Sequence, residues 1–287
     1  MPPVLAGRAD LRLSFSMAQR GTTKETTGVC LFGDASIAWW RLSWTVGREG
    51  DVRREARYRP VPASWDGDSL YAASELYGPH VAEFARTAVA SGRPVARGEC
   101  WDVAAEALNA VPAHLPAPFP ALGRTHGHLL YYGRAGEGGV WHGGDAYLRA
   151  GDVVEWREVK IDNGNSWASL GAPDVSHFRL LLHCSPQTLM RLPTPRAQHT
   201  AVVLSATPPT GELPKDGEQY HFSQLGSVTV VEQSQGVAPA EATYELANMT
   251  QGEVWFYRPV GLIDFVGAEV SARFPPGCEC WEVGQLD

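Results

Sequence analysis

Cysteine, histidine and glutamate stand in this chain where regular structure would bring them to bear on one another. Cys100 follows Arg97-Gly98-Glu99, and Cys100, Val103, Ala104, Ala107 and Leu108 recur at i, i+3, i+4, i+7 and i+8. The spacing predicts a helix whose first turn carries the thiol on its apolar stripe. Unpaired backbone N–H groups and the positive end of the helix dipole favour thiolate at that position, which is how a sulfur nucleophile is made. Such a nucleophile needs an imidazole to move its proton and a third polar group to hold the ring. Of nine histidines, His199 opens the apolar run from Thr200 to Leu204, a strand by its composition. Glu232 ends the run SVTVVE, and alternation puts Val228, Val230, Glu232 and Ser234 on one face. The same residues also fit plainer duties: a small core cysteine, a histidine at a strand start and a strand-end charge in solvent. Spacing alone leaves both readings open.

The elements that must position these residues fall into two groups. From Ser69 to Gly92 apolar residues have helical spacing on either side of Gly78-Pro79, which reads as one scaffold helix with that pair as its candidate break, and Gly92 with Pro94 ends the pattern. The cysteine helix follows, and then the Pro-rich crossover AHLPAPFPALG. After it come strand-like runs, HLLYYG, DVVEWREVKI, TAVVLS, SVTVVEQS and EVWFYRPV, each bounded by Gly, Pro or Asp. Helices first and strands later predict an α+β fold with a helical part packed on an antiparallel sheet. Residues 1–66 read as an extension without an assigned function. There the apolar VCLFGDASIAWWRLSW looks like strand material and the charged GREGDVRREARYR like an exposed segment. Residues 67–287 read as the main domain.

Composition narrows the partners. With a formal charge of −8 and a pI near 5.6, the chain lacks the basic face that nucleic acid or an anionic membrane requires. No run approaches the roughly 20 apolar residues of a membrane span. Five cysteines, an odd number scattered over 287 residues, do not make a secreted disulfide framework, so reduced thiols and a cytoplasmic setting are expected. His126 and His128, with His142 and Asp145 downstream, resemble part of a cupin-type metal site, but the glutamate such a site takes a few residues on is replaced by apolar residues. Neither metal nor organic cofactor is expected. The partner is a peptide or amide substrate, or another protein, and the oligomeric state is not readable.

The run Arg97-Gly98-Glu99-Cys100-Trp101-Asp102 before a helix, Ala150-Gly-Asp-Val-Val-Glu-Trp156, the His199-Thr-Ala-Val-Val strand, and Val231-Glu-Gln-Ser with Glu253-Val-Trp-Phe-Tyr-Arg-Pro-Val behind it together resemble the papain-like cysteine peptidases of the NlpC/P60 and CHAP superfamily. More narrowly they resemble the fungal cysteine-proteinase-fold domain of Bbc1/Aim3-type proteins, over roughly residues 70 to 267. The resemblance implies Cys100 as nucleophile, His199 as general base and Glu232 as the orienting group. Ser234 stands where the CHAP-like pattern has asparagine, and Gly151-Asp152 is similar to the family's structural turn into its central strand. The implied activity is that of a cysteine peptidase or amidase. The alternative the resemblance carries is a catalytically silent interaction module of the cortical-actin and endocytosis type.

The family-like pattern also reads as a short Pro-Asp-His-Thr-Ala run, whereas here Pro173-Asp174 and His199-Thr200 are separated by the 24 residues 175–198. Removing them joins LGAPD to HTAVVLS, and the segment is a whole number of codons. Its first residues, Val175-Ser176, can be encoded by GTGAGT, and Gln198 by CAG, the edges of an intron. Residues 175–198 therefore read as a retained intron, with an ordinary surface insertion as the alternative.

Overall fold

The computed structural model describes residues 10–162, 167–170, 198–275 and 282–284. They form two compact units, each drawn from more than one stretch of chain. The intervening segment read as a retained intron lies outside the described residues except for Gln198.

The first unit comprises residues up to Ala63, with Ala113–Gly127 and the chain from Val260 onward. Its strands β1 (Leu11–Arg20), β2 (Thr23–Phe32), β3 (Ile37–Thr45) and β4 (Arg48–Arg59) form an antiparallel meander. The strand at Leu11–Arg20 carries its signal in the alternation Leu11, Leu13, Phe15, Met17. The charged segment expected to be simply exposed is strand β4. It is held in register by pairs such as Arg41 opposite Glu55, which form an ion pair, and by Phe274, whose ring lies under the guanidiniums of Arg41 and Arg57.

The second unit comprises Ser64–Pro112 and His128–Pro259. Helix α1 (Gly67–Ser91) is capped by Asp66, whose carboxylate accepts from the Ser69 N–H at 2.7 Å, and ends at Gly92 in the left-handed region. It is the single scaffold helix read from the sequence and runs unbroken through Gly78-Pro79. Proline there forfeits one backbone bond and strains one turn, about 3 kcal/mol. Against that, the helix buries Leu70, Ala73, Tyr77, Val81, Ala82, Ala85 and Ala88 along its length, with Gly78 close against the Ala150 carbonyl. Helix α2 (Cys100–Asn109) follows, and Val103, Ala104, Ala107 and Leu108 of the expected stripe are buried.

Then come β5 (His128–Arg134), β6 (Gly138–Trp141), β7 (Val153–Asp162), β8 (Trp167–Leu170), β9 (Gln198–Ala206), β10 (Ser227–Glu232), β11 (Ala240–Glu245) and β12 (Met249–Arg258). They make one antiparallel sheet in the order β11-β10-β9-β7-β12-β5-β6, with β8 also paired to β7. Central β9 is buried from His199 to Leu204, which is why its sequence is a continuous apolar run and does not alternate. Beyond this sheet, α3 (Leu262–Val266) and β13 (Glu282–Gly284) belong to the first unit, where β13 pairs with β4. The architecture is mixed α/β with antiparallel sheets and few helices, as the sequence predicted in outline. Among the described residues no helix is long and apolar enough to cross a membrane.

Candidate active site

The register of three strands assembles the first half of the site. Trp156 of β7 stands opposite His199, and Glu232 of β10 stands opposite Ala201, two residues along β9 from His199. Residues two apart on a strand share a face, so His199 and Glu232 are diagonal neighbours on one side of the sheet. The Nε2 atom of His199 meets Oε2 of Glu232 at 2.9 Å. Glu232 is held in turn by the Tyr244 hydroxyl, which donates to its Oε1 at 2.7 Å. Tyr244 lies in β11 opposite Val228, on the same face. That strand was not foreseen, so neither was its tyrosine, although Tyr in a polar-apolar alternation beside an acidic strand end is a usable signal.

Helix α2 supplies the other half. Cys100 is its first residue and is half-buried, not part of the fully buried stripe. Its Sγ lies 3.9 Å from the carbonyl oxygen of Gln198, the residue before His199, and the sulfur is near enough to the imidazole to strengthen its hold on a proton. Because Nε2 is engaged by Glu232, Nδ1 is the ring nitrogen that the carboxylate leaves available. Burial alone would push the ring toward its neutral form, but the hydrogen bonds and negative charge of Cys100 and Glu232 outweigh it and raise the pKa to about 9. The helix start is fixed by Asp102, buried within the first turn. Its Oδ2 accepts from the backbone N–H groups of Arg97 at 2.9 Å and Glu99 at 3.1 Å, and its Oδ1 from the Arg97 guanidinium at 3.0 Å.

The structure thus brings Cys100, His199 and Glu232 together. It does not bring Ser234 to them: the strand ends at Glu232, and Ser234 is exposed in the turn that follows, where its carbonyl accepts from the Val237 N–H. The buried neighbour is Gln233, which the alternation assigns to the opposite side from Glu232.

Gly151-Asp152 forms the turn into β7. Gly151 has φ +89° and packs on Gly78, where a Cβ would come within 2.4 Å of the Gly78 Cα. Asp152 caps the turn through the Arg149 N–H at 2.8 Å and takes Nε and Nη2 of Arg258, both at 2.9 Å. Arg258, fully buried, also pairs with Asp145 and donates to the carbonyls of Leu70 and Tyr147. His126 and His128 fall in different compact units. Burial pushes His128 down to about 4, and its Nε2 accepts from the Trp65 N–H at 2.9 Å. Among the described residues no group of three or more His, Cys, Asp or Glu is placed to hold a metal ion.

A half-buried thiol at a helix start, a ring between thiol and carboxylate, and a carboxylate tied to a tyrosine form the arrangement in which cysteine hydrolases move a proton between sulfur and imidazole. No curated protein and no solved structure matches the chain. The AIM3/BBC1 cysteine proteinase-fold domain matches residues 55–270, three quarters of the chain and all three site residues. The chain belongs to that family, and its fold is the cysteine-proteinase fold.

Proposed function

We propose that this protein is a cysteine hydrolase of the peptidase or amidase type, with Cys100, His199 and Glu232 as its working groups and an NlpC/P60- or CHAP-like arrangement of helix and sheet. The observation that carries the reading is the His199 ring held between Cys100 and Glu232 with its pKa raised to about 9. A ring set between a thiol and a carboxylate is placed to take the sulfur's proton and pass it to a leaving group. In the reaction the Cys100 sulfur attacks an amide carbonyl carbon, and Nδ1 of His199 gives its proton to the leaving nitrogen as the C–N bond breaks. The Cys100 backbone N–H, at a helix position with no intrahelical acceptor, faces the oxyanion. Water then attacks the thioester, passes a proton to His199 and releases the acid and the thiolate. Ser234, exposed, is given no part.

The setting proposed is the cytoplasm, consistent with the free thiols of Cys30 and Cys100. Brief alkylation of the intact protein between pH 6 and 7, read by mass spectrometry, tests the function: Cys100 labels first of the five thiols. Labelling of Cys278 or Cys280 with Cys100 untouched sinks it and leaves the silent interaction module. One observation favours that second reading, the exposed apolar row on β1, where Phe15 is 58% and Met17 is 67% accessible.

We also propose that the working form lacks residues 175–198. On one edge of β7, Leu170 of β8 stands opposite Val159 and Gln198 of β9 opposite Arg157. The two strands are therefore collinear, two parts of one strand position with a single β7 residue, Glu158, between their ends. Sequencing of transcripts across the segment tests this: a shorter transcript supports it, and a genomic sequence without GT and AG at the edges overturns it.

A further inference from the structure

The end of β10 does two things at once. Glu232, its last residue, faces the His199 ring, while the next residue, Gln233, points to the other side and is 1% exposed. Its amide is fully used. Oε1 accepts from the Val95 N–H at 2.7 Å, and Nε2 donates to the Glu99 carbonyl at 2.9 Å and the Val95 carbonyl at 3.3 Å. Three residues on, the Gly236 N–H donates to the Gly98 carbonyl at 3.2 Å. The segment so gripped, 95–99, leads directly into Cys100. It has no regular structure and includes two left-handed residues, Ala96 at φ +47° and Gly98 at φ +85°. Such backbone persists only where its surroundings over-determine it.

We infer that Gln233 is the positioning residue for the nucleophile: it fixes the loop that sets where the first turn of α2, and with it the Cys100 sulfur, stands relative to the His199 ring. The geometry explains why an amide is needed. One acceptor and two donations match the three groups the loop presents, so a carboxylate, which only accepts, and a shorter asparagine each fail part of the set. Because Glu232 and Gln233 are adjacent, one strand end locates both members of the thiol-imidazole pair, and a displacement of about 1 Å between such members costs on the order of a hundredfold in rate.

This inference rests on the proposed cysteine chemistry, so its test has two readouts. Hydrogen exchange of the full-length protein reads the clamp without any chemistry. In Gln233→Leu the amides of Val95 and of Arg97–Glu99 exchange at least about tenfold faster than in the parent while α1 stays protected, and unchanged exchange overturns the inference. The second readout is the pH profile of Cys100 alkylation by iodoacetamide. The parent reacts at pH 6, and Gln233→Leu reacts about tenfold or more slowly there, its rate rising only toward pH 8.5 like an ordinary thiol. A reactive parent with an unaltered profile in the variant also overturns the inference. A parent that is itself unreactive at pH 6 sinks the proposed hydrolase, and the exchange measurement still decides the clamp. Should Gln233→Leu fail to fold, Gln233→Glu preserves size and the acceptor for Val95 and is expected to give the same shift at smaller amplitude.

Discussion

The two sheets of this molecule use the same antiparallel pairing and place their polar groups in opposite ways. In the five-stranded sheet β1-β2-β3-β4-β13, charges lie at the surface and none of the described strands carries a fully buried charged side chain, while Phe15 and Met17 of β1 stand in the open. In the larger sheet the polar groups are inside: Arg258 between Asp145 and Asp152, His199 against Glu232, and Glu155 accepting from the Thr200 hydroxyl at 2.6 Å. A buried polar group is tolerated only when its partners are met, so each such network admits one arrangement of the strands around it. The family match begins at residue 55, inside β4, and runs through every one of these networks. The sheet with the buried networks is the part whose geometry cannot drift, and it is the part that holds the site.

The strongest way to break that contrast is Arg258→Met. Removing the guanidinium leaves the buried Asp152 carboxylate without its arginine and Asp145 with Arg149 alone. Loss of one side of a buried ion pair costs about 3–5 kcal/mol, and the urea midpoint should fall accordingly. A loss no larger than that of a surface substitution would mean the network does not hold the sheet.

The pH dependence of stability sharpens the contrast at the site itself. His199 is raised from about 6.5 to about 9 in the folded protein, so the folded state holds the ring proton more tightly than the unfolded chain. For a raised pKa the stabilisation is complete below about pH 6.5 and is lost as pH rises through 9. It amounts to about 3 kcal/mol at most, and urea titrations at pH 6 and pH 9.5 should show that difference in the parent and lose most of it in His199→Ala. An equal pH dependence in both would show that the ring does not gain its proton from this site.

Next in size is deletion of 175–198. The link between Leu170 and His199 shortens from 28 residues to four. That is nearly three halvings, each about 0.6 kcal/mol in closure entropy. The deletion also places Asp174 beside His199, in the register position opposite Arg157 now held by Gln198. An acidic residue there faces an arginine across the strands, and the backbone carbonyl near the Cys100 sulfur is supplied as before. A gain of about 1–2 kcal/mol in urea, with Cys100 alkylated at least as fast, is expected. A shorter chain that is less stable would mark the segment as part of the native protein.

What could be read in advance follows the same division. Cys100, His199 and Glu232 were legible because each sits at the end of an element with a clear period, and an element end is where a side chain escapes its own stripe. Tyr244 and Gln233 were not, because what they do depends on a cross-strand register and on a loop more than 130 residues away in the chain, and neither leaves a local pattern. Ser234 was misplaced by extending the alternation past the point where β10 ends. Pro79 shows the limit of a local rule: it marks a candidate break, and the buried stripe of α1 carries the helix through it.

The smallest expected effect lies on β1, and it is small for a physical reason. Phe15 and Met17 are more than half exposed, and β1 is paired along one side only, with β2. Exposed side chains have little transfer free energy to lose, so Phe15→Thr and Met17→Thr should each change stability by no more than about 0.5 kcal/mol. Threonine keeps the strand preference, and the pairing is further held by Ser16, whose hydroxyl meets that of Thr27 at 3.0 Å. The informative partner experiment is the same substitution inside the larger sheet: Val202→Thr sets a hydroxyl at a fully buried position of β9 and should cost several times as much. If the β1 changes prove as costly as the β9 change, that face of β1 is covered in solution, and the contrast between an open sheet and a sheet organised from within would have to be redrawn with a partner on β1.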